Sequence, residues 1–175
     1  MKKAFLVVGP ESSGTKLVTQ LFCMAGCAGD FEHKQRLDDF VVGGLFPREM
    51  KGKDIVFRRS VPHGGEFPDL LAIERKFKER EYEIGWVVIF RDWYANICSA
   101  PKYGHKRSIR EAQNRLPEEW KYIAGYIPKF ENFYFLLSSQ LFVKPRRALF
   151  GLSVWAGLGL IQHSSIVKDA DEKYF

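Results

Sequence analysis

The segment Lys3 to Lys16, KAFLVVGPESSGTK, carries an apolar run straight into a turn bounded by Gly9 and Gly14 and rich in small hydroxyl residues, and the helix-forming stretch LVTQLFCM follows. This order constrains the fold more than any other feature of the chain. A continuous apolar strand belongs inside a parallel sheet covered on both faces. A glycine-bounded turn that opens a helix leaves several backbone N–H groups unpaired, aimed at one spot and reinforced by the helix dipole. Such a turn suits a phosphate or sulfate group, and a nucleotide is the expected ligand.

The kinase and ATPase form of this turn is G-x-x-x-x-G-K-[ST], in which the lysine reaches the terminal phosphates and the hydroxyl holds magnesium. Gly9 and Gly14 have that spacing, but Thr15 then Lys16 follow, so hydroxyl and ammonium exchange places. Magnesium-dependent phosphoryl transfer is disfavoured by this swap. A second apolar strand, Trp86 to Phe90 (WVVIF), ends in Arg91-Asp92, with Ser99 eight residues beyond the arginine. Both runs read as central strands, and the expected fold is α/β: a three-layer, P-loop-like arrangement with a central, mainly parallel sheet flanked by helices.

The two elements in this order, GPESSGTK (Gly9 to Lys16) and RDWYANICS (Arg91 to Ser99), resemble the P-loop sulfotransferases, which join a loop G-x-x-K-[ST]-G-T-T to a downstream R-x-x-x-x-x-x-x-S. The late segment LFVKPRRALFGLSVWAGLGL (Leu141 to Leu160) is similar to that family's closing helix, so the likeness spans most of the chain. It implies a sulfotransferase that moves a sulfuryl group from 3′-phosphoadenosine 5′-phosphosulfate (PAPS) to a hydroxyl or amine acceptor and releases 3′-phosphoadenosine 5′-phosphate (PAP), with no metal required. It further implies that Pro10, Glu11, Ser12, Ser13, Gly14, Thr15 and Lys16 cradle the 5′-phosphosulfate, chiefly through the N–H groups of Ser13 to Lys16, and that Arg91 and Ser99 bind the 3′-phosphate. The chain departs from the pattern at one position. The family's loop lysine falls on Ser12, and Lys16 is the candidate to replace its ammonium. Small bacterial and phage-type homologues carry a GPESSGT-like loop, so the change reads as a subfamily feature.

Glu32 and His33 in DFEHKQ are the candidates for the catalytic base, because they follow the first helix, where related enzymes place a glutamate or histidine; a solvated turn is the alternative. Arg59 and His63, beside Gly64-Gly65, are candidates to line an acceptor pocket. Asp92 reads as a helix N-cap or dipole partner rather than the acid of a magnesium site. The acceptor class expected is a small molecule or carbohydrate. A P-loop kinase or NTPase, and a nucleotide-binding module without chemistry, are the competing functions.

The balance of 27 Lys+Arg against 21 Asp+Glu, net +6, suits an anionic cofactor. Acidic residues interleave with the basic ones, so no nucleic-acid partner is expected. The run AFLVV is too short for a secretory signal core, no stretch approaches a membrane span, and a cytoplasmic single domain over residues 1–175 is expected. Cys23, Cys27 and Cys98 lack zinc spacing and read as reduced thiols. Further expected elements are a strand end at Phe31 to Lys34, a strand at Ile55 to Arg59, a helix at Pro68 to Glu81 with Pro68 in its first turn, a helix at Glu118 to Tyr126, a buried strand at Asn132 to Leu136, and a helix at Pro145 to Ala156 closed by Gly157. Ser99 to Leu116, polar and basic, reads as an exposed loop leading into a surface helix, or as a lid. Ile161 to Phe175 reads as a tail.

Overall fold

A computed structural model describes residues 1–29, 53–62 and 65–161. Its five strands, β1 (Lys2–Pro10), β2 (Ala28–Gly29), β3 (Ile55–Val61), β4 (Tyr82–Phe90) and β5 (Phe133–Leu137), form one sheet in the order β2-β3-β1-β4-β5. Every pairing is parallel, with Val8 of β1 opposite Arg59 and Val88, and Phe90 of β4 opposite Leu137. All strands therefore end on one edge, and the residues that follow β1, β3, β4 and β5 meet there.

Alternation along the strands divides the core into two layers. Ala4, Leu6 and Val8 of β1 pack with Phe57 and Trp86 against Leu70, Ile73 and Phe77 of α2 (Leu70–Lys78) and Ile123 of α4 (Ile109–Tyr126). On the other face, Phe5 and Val7 join Val87, Ile89 and Leu136 against Val18, Leu21 and Phe22 of α1 (Thr15–Met24) and Leu149, Leu152 and Ala156 of α6 (Pro145–Ala156). This is the expected three-layer arrangement. Because both faces are covered, β1 is buried from Ala4 to Pro10, which explains its unbroken apolar run. Trp86 stacks on Phe130 with centroids 4.3 Å apart and donates its indole N–H to the buried Glu74 at 2.6 Å. Lys78 balances that carboxylate at 2.8 Å.

The remaining α-helices among the described residues are α3 (Trp93–Lys102) and the short α5 (Gln140–Val143). Capping chemistry sets most boundaries. Asp92 accepts from the N–H of Ala95 at 3.0 Å to open α3, as its sequence position suggests. Gly157, at φ 66°, closes α6 at the expected residue, where the Leu158 N–H reaches the Ser153 carbonyl at 3.1 Å.

Four expectations need correction. α4 starts at Ile109, nine residues before the expected Glu118: Ser108 accepts from the Glu111 N–H at 3.1 Å while Glu111 accepts from the Arg107 N–H at 2.7 Å, and the helix then carries Pro117 in its interior. Ser99 to Leu116 is thus mostly helical, with only a short connection between α3 and α4. β5 is not a buried strand but an edge strand, with Phe133 and Phe135 exposed and Leu136 turned inward. Pro68 lies outside α2, because Asp69 takes the cap by accepting from Ala72 N–H at 3.1 Å. β4 extends back to Tyr82. The strand end expected at Phe31 to Lys34 and the tail beyond Ile161 lie outside the described residues. Among the described residues no helix is long and apolar enough to cross a membrane.

Candidate functional site

The turn after β1 is built by two left-handed residues. Ser12 has φ 66° and Gly14 φ 96°, and between them the Ser13 N–H donates to the Pro10 carbonyl at 3.1 Å. Ser13 therefore spends on the turn the N–H that sequence assigned to the ligand. The N–H groups of Gly14, Thr15, Lys16 and Leu17 have no backbone acceptor among the described residues, and no side chain caps α1. Gly9 is required by space: a β-carbon there would collide with the Ser13 side chain and come within 3.0 Å of the Ile89 carbonyl. The Ser12 and Ser13 hydroxyls are buried with no hydrogen-bond partner. An unpaired buried hydroxyl costs about 1–3 kcal/mol, so two in one turn point to a ligand that completes them.

A left-handed non-glycine residue also costs energy, roughly 1–3 kcal/mol, and persists only where its surroundings hold it. The holder of Ser12 is Arg91. From the end of β4, its Nη1 donates to the Ser12 carbonyl at 2.6 Å, in a largely buried position. The arginine expected on a 3′-phosphate thus braces the loop in this structure. Further along, Ser99 is wholly buried on α3 with its hydroxyl unpartnered, and Asn96, one turn before it, has an unpartnered buried amide N–H₂. Ser138, beside Phe90 through an N–H to carbonyl bond of 2.7 Å, adds a fourth unsatisfied hydroxyl at this edge.

The other predicted residues are placed as follows. Thr15 is buried, its hydroxyl 3.5 Å from that of Ser60 at the end of β3. Arg59 is buried at the same strand end. Lys16 is exposed on the first turn of α1 and forms no ion pair with a described residue. Glu32, His33 and His63 lie outside the described residues.

Sequence reasoning missed a buried charge cluster. Lys106, in the connection between α3 and α4, places Nζ 2.5 Å from Glu11 Oε2 and 3.0 Å from Glu119 Oε1. All three side chains are buried. Burial opposes the charged form of Lys106, yet its hydrogen bonds to Glu11 and Glu119 win and hold the ammonium above its ordinary range. Glu119 is raised above the usual carboxylate value by burial, which Lys106 only partly offsets. The S-x-x-E pattern at Ser108 to Glu111 was the available signal, since it shortens the connection and fixes where Lys106 can lie. The connection is held by the N–H of His105 donating to the Ala100 carbonyl at 2.9 Å, and by Ile97, Ala100, Ala112 and Leu116 packing between the two helices.

No family model matches the chain, and no curated protein is significantly similar to it in sequence. Solved structures are similar in fold. The sulfotransferase domain of the Synechococcus PCC 7002 olefin synthase aligns with a TM-score of 0.62 and 14% identity over 100% of this chain and 83% of that one. The sulfotransferase domain from the curacin biosynthetic pathway aligns with a TM-score of 0.60 and 12% identity over 91% of this chain and 75% of that one. Mouse sulfotransferase SULT7A1, in a complex with PAP, aligns with a TM-score of 0.54 and 10% identity over 99% of this chain and 62% of that one. At such identities the likeness is one of architecture: the chain has the fold of sulfotransferase domains.

Proposed function

We propose that the chain is a sulfotransferase that transfers a sulfuryl group from PAPS to a hydroxyl or amine acceptor and releases PAP. The observation that carries this reading is the cradle itself, four unpaired N–H groups and two unsatisfied buried hydroxyls after the first strand, on a fold shared with sulfotransferase domains. These donors fit a 5′-phosphosulfate in number and kind. PAPS supplies the activated sulfuryl group when bound. The chain supplies position and charge: the N–H groups of Gly14 to Leu17 with the Ser12 and Ser13 hydroxyls hold the phosphosulfate end, and the dipole of α1 stabilises the charge left on the departing phosphate oxygen. Pro10 contributes the carbonyl that shapes the turn. Arg91 and Ser99, with the unsatisfied amide of Asn96, hold the 3′-phosphate. Lys16, exposed at the head of α1, is the ammonium that turns toward the reacting group. Glu32 or His33 takes the acceptor proton, and Arg59 with His63 borders the acceptor, which is a small molecule or carbohydrate.

A second reading has one observation behind it. Ser12 stands where the resembled loop has lysine, and a chain that kept the cradle but lost the ammonium would bind PAP without transfer. The test has two parts. Thermal unfolding with PAP, ATP, and ATP with magnesium comes first: a ligand at a hundred times its Kd adds about 2.7 kcal/mol, which raises Tm by about 5–11 °C in a domain of this size. A shift with PAP and none with magnesium-ATP is expected. Transfer from radiolabelled PAPS to a panel of phenols and sugars, without magnesium, then separates enzyme from binder. Absence of any PAP shift rejects the sulfotransferase reading.

A further inference from the structure

Glu11 puts a carboxylate into a loop shaped for an anion. At the distances of a binding site a carboxylate repels a phosphate or sulfate ester as strongly as an ammonium attracts it, and burial strengthens either effect. In this structure the Glu11 carboxylate points to Lys106 at 2.5 Å, and the same ammonium meets Glu119 at 3.0 Å. Arg115, one turn before Glu119 on α4, is a further charge acting on that carboxylate, and it also pairs with Glu118 at 3.4 Å. Glu11 directly precedes Ser12, the position at which the resembled loop carries its lysine.

We propose that Lys106 is a positioning residue for the phosphosulfate end of the donor: it cancels the Glu11 charge inside the loop, so the cradle accepts a phosphate or sulfate ester without a lysine at position 12. The identity of the ester rests on the function proposed above; the charge argument applies to any such anion. Lys106 acts through Glu11, and its loss exposes a bare carboxylate to the incoming ligand.

Calorimetric titration of wild type, Lys106→Met, Lys106→Arg, Glu11→Gln and the Lys106→Met/Glu11→Gln double variant, each with PAP and with inorganic pyrophosphate, tests this. Lys106→Met should bind both anions about tenfold or more weakly than wild type at pH 7.5. Lys106→Arg should keep most of the affinity. Glu11→Gln should bind both anions more tightly than wild type, because the repelling carboxylate is gone and the ammonium is released toward the ligand, and adding Glu11→Gln to Lys106→Met should restore binding. A purely structural brace predicts the reverse, since Glu11→Gln breaks the same contact. If Lys106→Met does not fold, Glu11→Gln alone decides: affinity no higher than that of wild type overturns the proposal, as does unchanged binding by Lys106→Met. If wild type binds pyrophosphate but not PAP, the sulfotransferase reading fails while the same variants still judge Lys106. Binding of neither anion overturns both.

Discussion

Replacing Arg91 by alanine removes the bond that holds Ser12 in its left-handed conformation. The guanidinium donates to the Ser12 carbonyl at 2.6 Å across 79 residues of sequence, and Arg91 is 8% exposed. A hydrogen bond with one charged partner contributes about 1.5–3 kcal/mol. If that energy is what keeps the loop in its binding-competent shape, its loss lowers the competent fraction and raises the apparent Kd by roughly 10- to 150-fold. The same range corresponds to a fall in Tm of about 3–12 °C. Titration with two nucleotides separates the roles of this arginine. Adenosine 5′-phosphosulfate carries the phosphosulfate end but no 3′-phosphate, so a loop brace predicts that it weakens alongside PAP, with PAP losing more if Arg91 also holds the 3′-phosphate as proposed. Undiminished binding of adenosine 5′-phosphosulfate by Arg91→Ala would refute the brace and leave only the far-end contact. Arg91→Lys should recover part of the loss, since an ammonium can reach one carbonyl but cannot divide its donors as a planar fork does.

Three further outcomes are expected. Lys16→Ala should depress turnover far more than it weakens PAP binding, the mark of a contact that strengthens in the transition state, and Ser12→Lys should restore part of the turnover; full turnover in Lys16→Ala would move the role elsewhere. Gly9→Ala should abolish PAP binding while the strands remain by circular dichroism, because a β-carbon meets the Ser13 side chain and the Ile89 backbone carbonyl, at 3.0 Å, and the latter cannot yield; retained affinity would show that the loop tolerates the shift. Burial raises the Glu119 carboxyl above its ordinary 4.5, so folding favours its protonated form, and its stabilising contribution is complete below pH 4.5 and lost as pH rises through the raised value. Glu119→Gln removes that dependence, so the Tm of the variant relative to wild type should climb over this interval, and a difference that does not vary with pH would contradict the assignment.

How far the site was legible follows from what each signal reports. The strand, the turn and the helix from Ala4 to Leu17 are contiguous, so apolar run, glycine spacing and helix pattern described the cradle almost as it stands. One detail escaped, the Ser13 N–H closing on Pro10, because the same turn residues are compatible with several hydrogen-bond patterns until the backbone angles are set. The helix from Pro145 to Gly157 was equally local, with proline at its start and glycine at its end. The start of α4 was less local, because Pro117 stands just before the expected Glu118. That proline reads as a helix start, but the capping pair at Ser108 and Glu111 had already begun the helix, and tertiary packing of Leu116 and Ile123 sustains it through the proline.

The sequence alone determined the class of the fold and the strand–turn–helix unit from Ala4 to Leu17, since both follow from contiguous residues and from periodicities that report burial. Burial does not name a partner. That β1 lies between β3 and β4, that β5 takes the exposed edge, that Arg91 closes on Ser12 and that Lys106 closes on Glu11 from 95 residues away were decided only by the folded chain. Each of these depends on the packing of two sheet faces against their helices, which brings residues distant in sequence within hydrogen-bond reach, and no local pattern encodes that distance.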